Sequence, residues 1–387
     1  MTSLSGPTFR VERNPNFDNL RRTLRREGPP GPVPLIELFA DPATMENILG
    51  EKFPIDLREL VRPGRSSENK LANLLMAKKV MDMIVQFCYE TGYDYVFTFA
   101  GANFPRENYL RTEDTADQKN YAAGERVWQD EETGPIQNWE DFERYPWPEA
   151  EKISSAAIDY LNAVIPEGMK ISVVIGGVFE NSSWLMGLQP FSYALFDQPD
   201  LVQAICDRVG ELTVAAAKKA ASYEKVGIVF HGDDLGYLGG TTLSPTAIRK
   251  YIFPYHRRLV EAVHAEGKLA LLHSCGNLEK IMDDIIDIGW DGKHSYEDNI
   301  MHVEEVHRRW GDRIAILGGV DMDLLGRGAE EAVRRRTREI LEACGTKGTG
   351  YCLGTGNTVA NYIPQANYLA MMDEGRRWNH ERFGTPY

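Results

Sequence analysis

The sequence predicts an α/β protein: a (β/α)8 TIM barrel with an N-terminal helical extension and an insertion after the second strand. Short apolar runs alternate with amphipathic stretches of helical period along most of the 387 residues. That alternation is the signature of βαβ units and a parallel sheet. Eight apolar runs can be counted, and the early chain carries no G-x-G-x-x-G turn of the kind that opens a doubly wound dinucleotide-binding sheet.

The eight runs, in order, are VPLIELF (33–39), YVFTFA (95–100), ISVVIGG (171–177), GIVFHGD (227–233), KLALLHS (268–274), DGKHSY (291–296), RIAILGG (313–319) and GYCLGTG (350–356). Most are nearly continuous in apolar character, as strands buried on both faces require. DGKHSY is the exception, being mostly polar. Between the runs lie helices with readable ends. SPTAIRKYIFPYHRRLVEAVHAEG opens on Ser244-Pro245, an N-cap followed by a proline at the first helical position, and stops at Gly267. NLEKIMDDIIDIG and AEEAVRRRTREILEACG each have an acidic first turn and a terminal glycine. Residues 1–30 are charged, helical in pattern and closed by Pro29-Pro30; they form the extension, and 31–387 form the barrel. Residues 101–150, rich in Asp, Glu, Asn, Pro and Trp, are the insertion, at a place where lids and substrate loops occur.

Composition narrows the function. Lys plus Arg number 43 against 57 Asp plus Glu, a net charge of −14. That argues against non-specific nucleic-acid binding and against an anionic membrane surface. No apolar run approaches the ~18–20 residues that span a bilayer. The N-terminus lacks the apolar core of a secretory signal. The expected location is cytoplasmic, where the five cysteines stay reduced and available for metal or chemistry.

Active sites of this fold lie at the C-terminal ends of the strands. The polar groups expected there are Glu37, Thr98, Asn103, Glu180, Asn181, His231, Asp233, Asp234, His273, Cys275, His294, Tyr296, Glu297, Asp321, Cys352 and Asn357. Across a closed barrel mouth, His273, Cys275 and Cys352 make an N/S/S set that suits a catalytic Zn2+ with an open position. The bland alternative is that each cysteine is a small buried hydrophobe. Asp233 and Asp234 serve either chemistry or capping. His256, His264, His302 and His307 fall on charged helical faces and read as solvated.

The stretches HGDDLGYLGGTTLSPTAIRKYIFPYHRRLVEAVHAEGK, LLHSCGNLEKIMDDIIDIGWDGKHSYED, GDRIAILGGVDMDLL and GTGYCLGTGNTV follow one another in a specific order and spacing. By them the chain, from about residue 225 onward, resembles the uroporphyrinogen decarboxylase superfamily. The resemblance implies a (β/α)8 barrel and one of two chemistries. The decarboxylases use an early arginine pair and an aspartate after an early strand; this sequence has PLIELFADPA and FTFAGANFP at those places and lacks both. The corrinoid-dependent methyltransferases of the superfamily use H-x-C and a distal Cys for zinc. His273-Ser274-Cys275 and Cys352 are similar to that motif.

The resemblance therefore implies a zinc-dependent methyltransferase, moving a methyl group between a small methylated substrate and the cobalt of a corrinoid (cobalamin) held by a separate partner protein. Metal ligands are expected at His273, Cys275 and Cys352. Asp233, Asp234, Tyr296 and Glu297 are expected to orient substrate or ligands, and His231, Asp321 and Asn357 to face the cofactor. A homodimer is possible. The alternatives are a methylcobamide:thiol methyltransferase, a metal-free decarboxylase and a non-catalytic barrel.

Overall fold

The computed structural model describes residues 6–55, 70–106, 109–113, 125–129, 131–346 and 350–386. Seven strands form one sheet: β1 (Tyr95–Phe99), β2 (Lys170–Gly176), β3 (Val226–Gly232), β4 (Leu269–His273), β5 (Gly292–His294), β6 (Ala315–Leu317) and β7 (Tyr351–Cys352). They pair in chain order, every pair parallel. Because the order is sequential, each crossover helix packs beside the strands it joins, and all C-terminal strand ends share one rim.

The apolar runs become strands because both faces are covered. Every residue of LALLH in β4 is buried. The polar run DGKHSY also yields a strand, since Lys293 and His294 both find partners inside: Lys293 Nζ donates to the Ser295 carbonyl at 2.6 Å.

The run 33–39 behaves differently. It makes isolated parallel bridges, Leu35 with Leu353 and Ala40 with Val359, in place of a continuous strand. Pro32 and Pro34 lack the N–H groups a ladder needs. The segment is tied to β1 by a side chain: the Tyr95 hydroxyl takes the Glu37 N–H at 2.6 Å and donates to the Glu37 carbonyl at 2.5 Å. What the ladders show is a curled parallel sheet of seven strands, with 33–40 lying between β7 and β1.

In the N-terminal segment, helix Phe17–Leu24 buries Phe17, Leu20 and Leu24. Its packing is close, for a Cβ added at Gly227 would come within 2.4 Å of the Phe17 ring. Arg13 pairs with Asp94 just before β1. The stretch 244–267 forms two helices, Pro245–Tyr251 and Phe253–Ala265, where the sequence pattern expects one. Pro254 removes a backbone donor, and its ring crowds the carbonyl four residues back, which breaks the helix there. The Ser244 cap is present, its hydroxyl accepting the Ala247 N–H at 3.2 Å.

Within the insertion, Tyr109–Glu113 and Glu125–Gln129 form an antiparallel ladder. Residues 107–108, 114–124 and 130, and the Trp128 side chain, lie outside the described residues. Trp147 packs against Tyr145, Phe142 and Phe104, so its ring builds the insertion's own small core. No helix among the described residues is long and apolar enough to cross a membrane.

Candidate metal centre

Two clusters of potential ligands meet at the rim, and the adjacent residues Asp233 and Asp234 belong to different ones. Asp233 follows β3 and turns inward, fully buried. Its Oδ2 accepts the N–H groups of Val178 and Phe179, both at 3.1 Å, and its Oδ1 accepts that of Glu180 at 3.0 Å. These are orphan donors in the first turn of helix Val178–Met186, whose positive end a carboxylate suits. Gly177 lets the carboxylate approach; a Cβ there would lie 2.0 Å from Asp233 Oδ1.

His256 Nε2 lies 2.9 Å from Asp233 Oδ2 and 3.2 Å from His231 Nε2. The Trp290 ring stacks on His231 at 5.8 Å. Burial alone would raise the Asp233 pKa, but His231, 3.7 Å away, and His256, hydrogen-bonded at 2.9 Å, outweigh it and hold the carboxyl well below its usual range. His256 is thus fully buried, where its charged neighbours in sequence had placed it in solvent. The signal was present: Phe253, His256, Val260 and Val263 fall on one helical stripe. Asp233 and His231 serve this buried lock, and both Nδ1 atoms of the histidines lack a hydrogen-bond partner among the described residues.

The second cluster is Asp234, His273 and Cys275, their ligand atoms all within 4.8 Å of one another. His273 ends β4, and Cys275 follows two residues later. His273 Nε2 lies 3.5 Å from Cys275 Sγ and 3.6 Å from Asp234 Oδ1. The Cys275 N–H donates to Asp234 Oδ1 at 2.8 Å. Asn357 Nδ2 donates to Cys275 Sγ at 3.3 Å, and the Ser295 hydroxyl reaches it at 3.6 Å. The His273 side chain is only 8% exposed, whereas that of Asp234 is 41% exposed and opens the cluster to solvent.

Behind His273 lies a second imidazole. His273 Nδ1 and His294 Nδ1 are 2.8 Å apart, and His294 Nε2 donates to the Thr355 carbonyl at 3.1 Å. Burial pushes His273 down to about 3 and His294 well below its usual value, so both rings are neutral. Burial, aided by Asp234, pushes the Cys275 thiol up to about 12. A bound cation reverses that logic by stabilising the thiolate. Sulfur, neutral imidazole and carboxylate together form a donor set that fits Zn2+.

The remaining expected residues divide. Asn357 joins the cluster. Cys352 does not: it lies fully buried in β7, in neither group of potential ligands among the described residues, with its thiol raised by burial alone. Asp321 caps helix Met322–Arg327, accepting the Leu324 N–H at 3.0 Å. Tyr296 is buried with the Lys293 ammonium 4.2 Å from its ring centroid. Glu297 is raised by burial and takes a hydrogen bond from the Gly276 backbone.

The family model described as uroporphyrinogen decarboxylase (URO-D) matches residues 127–378. The chain belongs to that family. Among solved structures, it is similar to a methyltransferase from Methanosarcina mazei, with a TM-score of 0.63 and 15% identity over 93% of this chain and 97% of that one. At that identity the likeness establishes the fold and nothing further. A xylose isomerase-like TIM barrel protein from Mycobacterium smegmatis in complex with magnesium is much looser, with a TM-score of 0.36 and 14% identity over 78% of this chain and 89% of that one. No curated protein matches the chain.

Proposed function

We propose that this protein is a zinc-dependent methyltransferase that moves a methyl group between a small methylated substrate and the cobalt of a corrinoid carried by a separate protein. The observation that carries the proposal is the convergence of Cys275 Sγ, His273 Nε2 and Asp234 Oδ1 at the strand ends, dry on the histidine side and open at Asp234. The fold shared with a methyltransferase supports the same direction. We read 33–40 as the eighth stave of the barrel around this site.

His273, Cys275 and Asp234 would hold the ion, a set in which Asp234 takes the place expected of Cys352. Bound Zn2+ supplies a Lewis acid that stabilises negative charge on the atom losing or gaining the methyl group. The chain's own residues prepare the site. Asn357 and Ser295 donate hydrogen bonds to the Cys275 sulfur, which favours its anionic form. The Cys275 N–H fixes the Asp234 carboxylate.

The test is metal analysis of the purified protein, followed by methyl-transfer assays with a corrinoid protein and methoxylated aromatics, methylamines or thiols. About one zinc per chain is expected, lost in His273→Ala and Cys275→Ser. A metal-free wild type with decarboxylase activity would reverse the reading.

A further inference from the structure

The imidazole behind His273 carries a proton assignment with one solution. The Thr355 carbonyl can only accept, so His294 Nε2 bears a hydrogen. The ring is fully buried and its hydrogen-bond partners are a carbonyl and a second imidazole, an environment that holds an imidazole neutral, so His294 Nδ1 is a lone pair. It faces His273 Nδ1 at 2.8 Å, and one hydrogen must lie between them. That hydrogen is on His273 Nδ1. His273 Nε2 is then a bare lone pair, aimed at Cys275 Sγ and Asp234 Oδ1.

We infer that His294 is a positioning residue which holds His273 as its Nδ1–H tautomer and so directs the Nε2 lone pair at the metal. The inference rests on the zinc reading proposed above. Ligating histidines take their tautomer and ring orientation from the partner on the other nitrogen. Here that partner is itself locked. Phe230 meets the His294 ring edge-on at 6.2 Å. Gly318, at φ 80°, leaves the space the ring occupies, since a Cβ there would lie 3.0 Å from His294 Nε2 and Cδ2. A flipped His294 ring would set carbon against the Thr355 carbonyl and leave that buried acceptor without its donor.

His294→Gln is the control. A glutamine side chain carries an acceptor oxygen and a donor NH2 group, and can take the His273 N–H while donating to Thr355; leucine can do neither. Cobalt(II) is the probe, a spectroscopic stand-in for zinc, titrated into wild type, His294→Leu and His294→Gln. The expected result is a loss of about 10- to 100-fold in Co2+ affinity, with altered visible bands, in His294→Leu. His294→Gln recovers most of the affinity. Wild-type affinity and bands in His294→Leu would overturn the inference alone. A wild type that takes up no cobalt would overturn it together with the zinc reading. Nitrogen-15 NMR of the histidines in metal-free wild type is the second measurement and needs no variant to fold. It should find the His273 proton on Nδ1; a proton on Nε2 overturns the inference whatever the metal does.

Discussion

Glu37 and Thr355, 318 positions apart, are joined by two hydrogen bonds of 2.7 Å, one from the Thr355 N–H and one involving its hydroxyl. The same hydroxyl bonds to the Asn357 carbonyl. One hydroxyl hydrogen cannot serve two acceptors. A protonated Glu37 resolves the count: it donates to Thr355 Oγ1, which donates to Asn357. Burial pushes Glu37 in the same direction, up to about 8. This neutral acid ties segment 33–40 to the loop that carries Asn357 towards Cys275.

Glu37 thus makes stability depend on pH. The folded protein holds this proton more tightly than the unfolded chain, whose glutamate titrates near 4.5. Its contribution is full below that value and is lost as pH rises through about 8. Urea unfolding of wild type and Glu37→Gln at pH 6 and pH 9 should show wild type losing ground to the variant at the higher pH. Parallel behaviour of the two proteins would refute a neutral Glu37.

Cys352 and Asp234 offer a direct contrast at the metal centre. Cys352→Ser should retain the metal, because its thiol belongs to neither ligand cluster. Asp234→Asn should weaken metal binding by about tenfold or more, with the fold unchanged, since Asp234 is partly exposed and caps no helix. Zinc content and chelator competition measure both. Loss of metal from Cys352→Ser alone would restore the ligand set read from the sequence.

Much of this was legible because apolar pattern dictates strands locally: LALLH and ISVVIG needed no tertiary knowledge. Where the sequence misled, tertiary contacts decided. VPLIELF has the composition of a strand, but Pro34 and the preceding Pro32 leave only bridges. His256 sits among charges in sequence and on a buried stripe in space. The H-x-C pair was visible because both residues follow one strand. The side chains that stand around it were not, since which residue reaches across a rim is set by how the loops fold back. Asn357 and Asp234 reach Cys275; Cys352 stays in its strand.

Asp233 should prove structural. Its carboxylate receives three backbone N–H groups and His256, and truncation leaves all four buried without an acceptor. Asp233→Ala should lose about 3 kcal/mol or more of stability. Gly177→Ala should also destabilise, by driving a methyl into the same carboxylate. Calorimetry on both variants is the check. A stable Asp233→Ala that retains metal yet loses activity would return Asp233 to the chemistry.

Lys293 makes the opposite pH prediction. It is almost fully buried, with one hydrogen bond to the Ser295 carbonyl and the Tyr296 ring against its ammonium. Burial lowers its pKa from 10.5 to about 8. The folded protein releases this proton more readily than the unfolded chain does. Its contribution is therefore full above 10.5 and is lost as pH falls through about 8. Methionine matches the stem without the charge, so Lys293→Met should be more stable than wild type at pH 7, by about 1–4 kcal/mol. The gap should close towards pH 10. Denaturant midpoints at the two pH values decide it: a variant less stable than wild type at pH 7 would mean that the contacts of the ammonium with Ser295 and Tyr296 outweigh its desolvation.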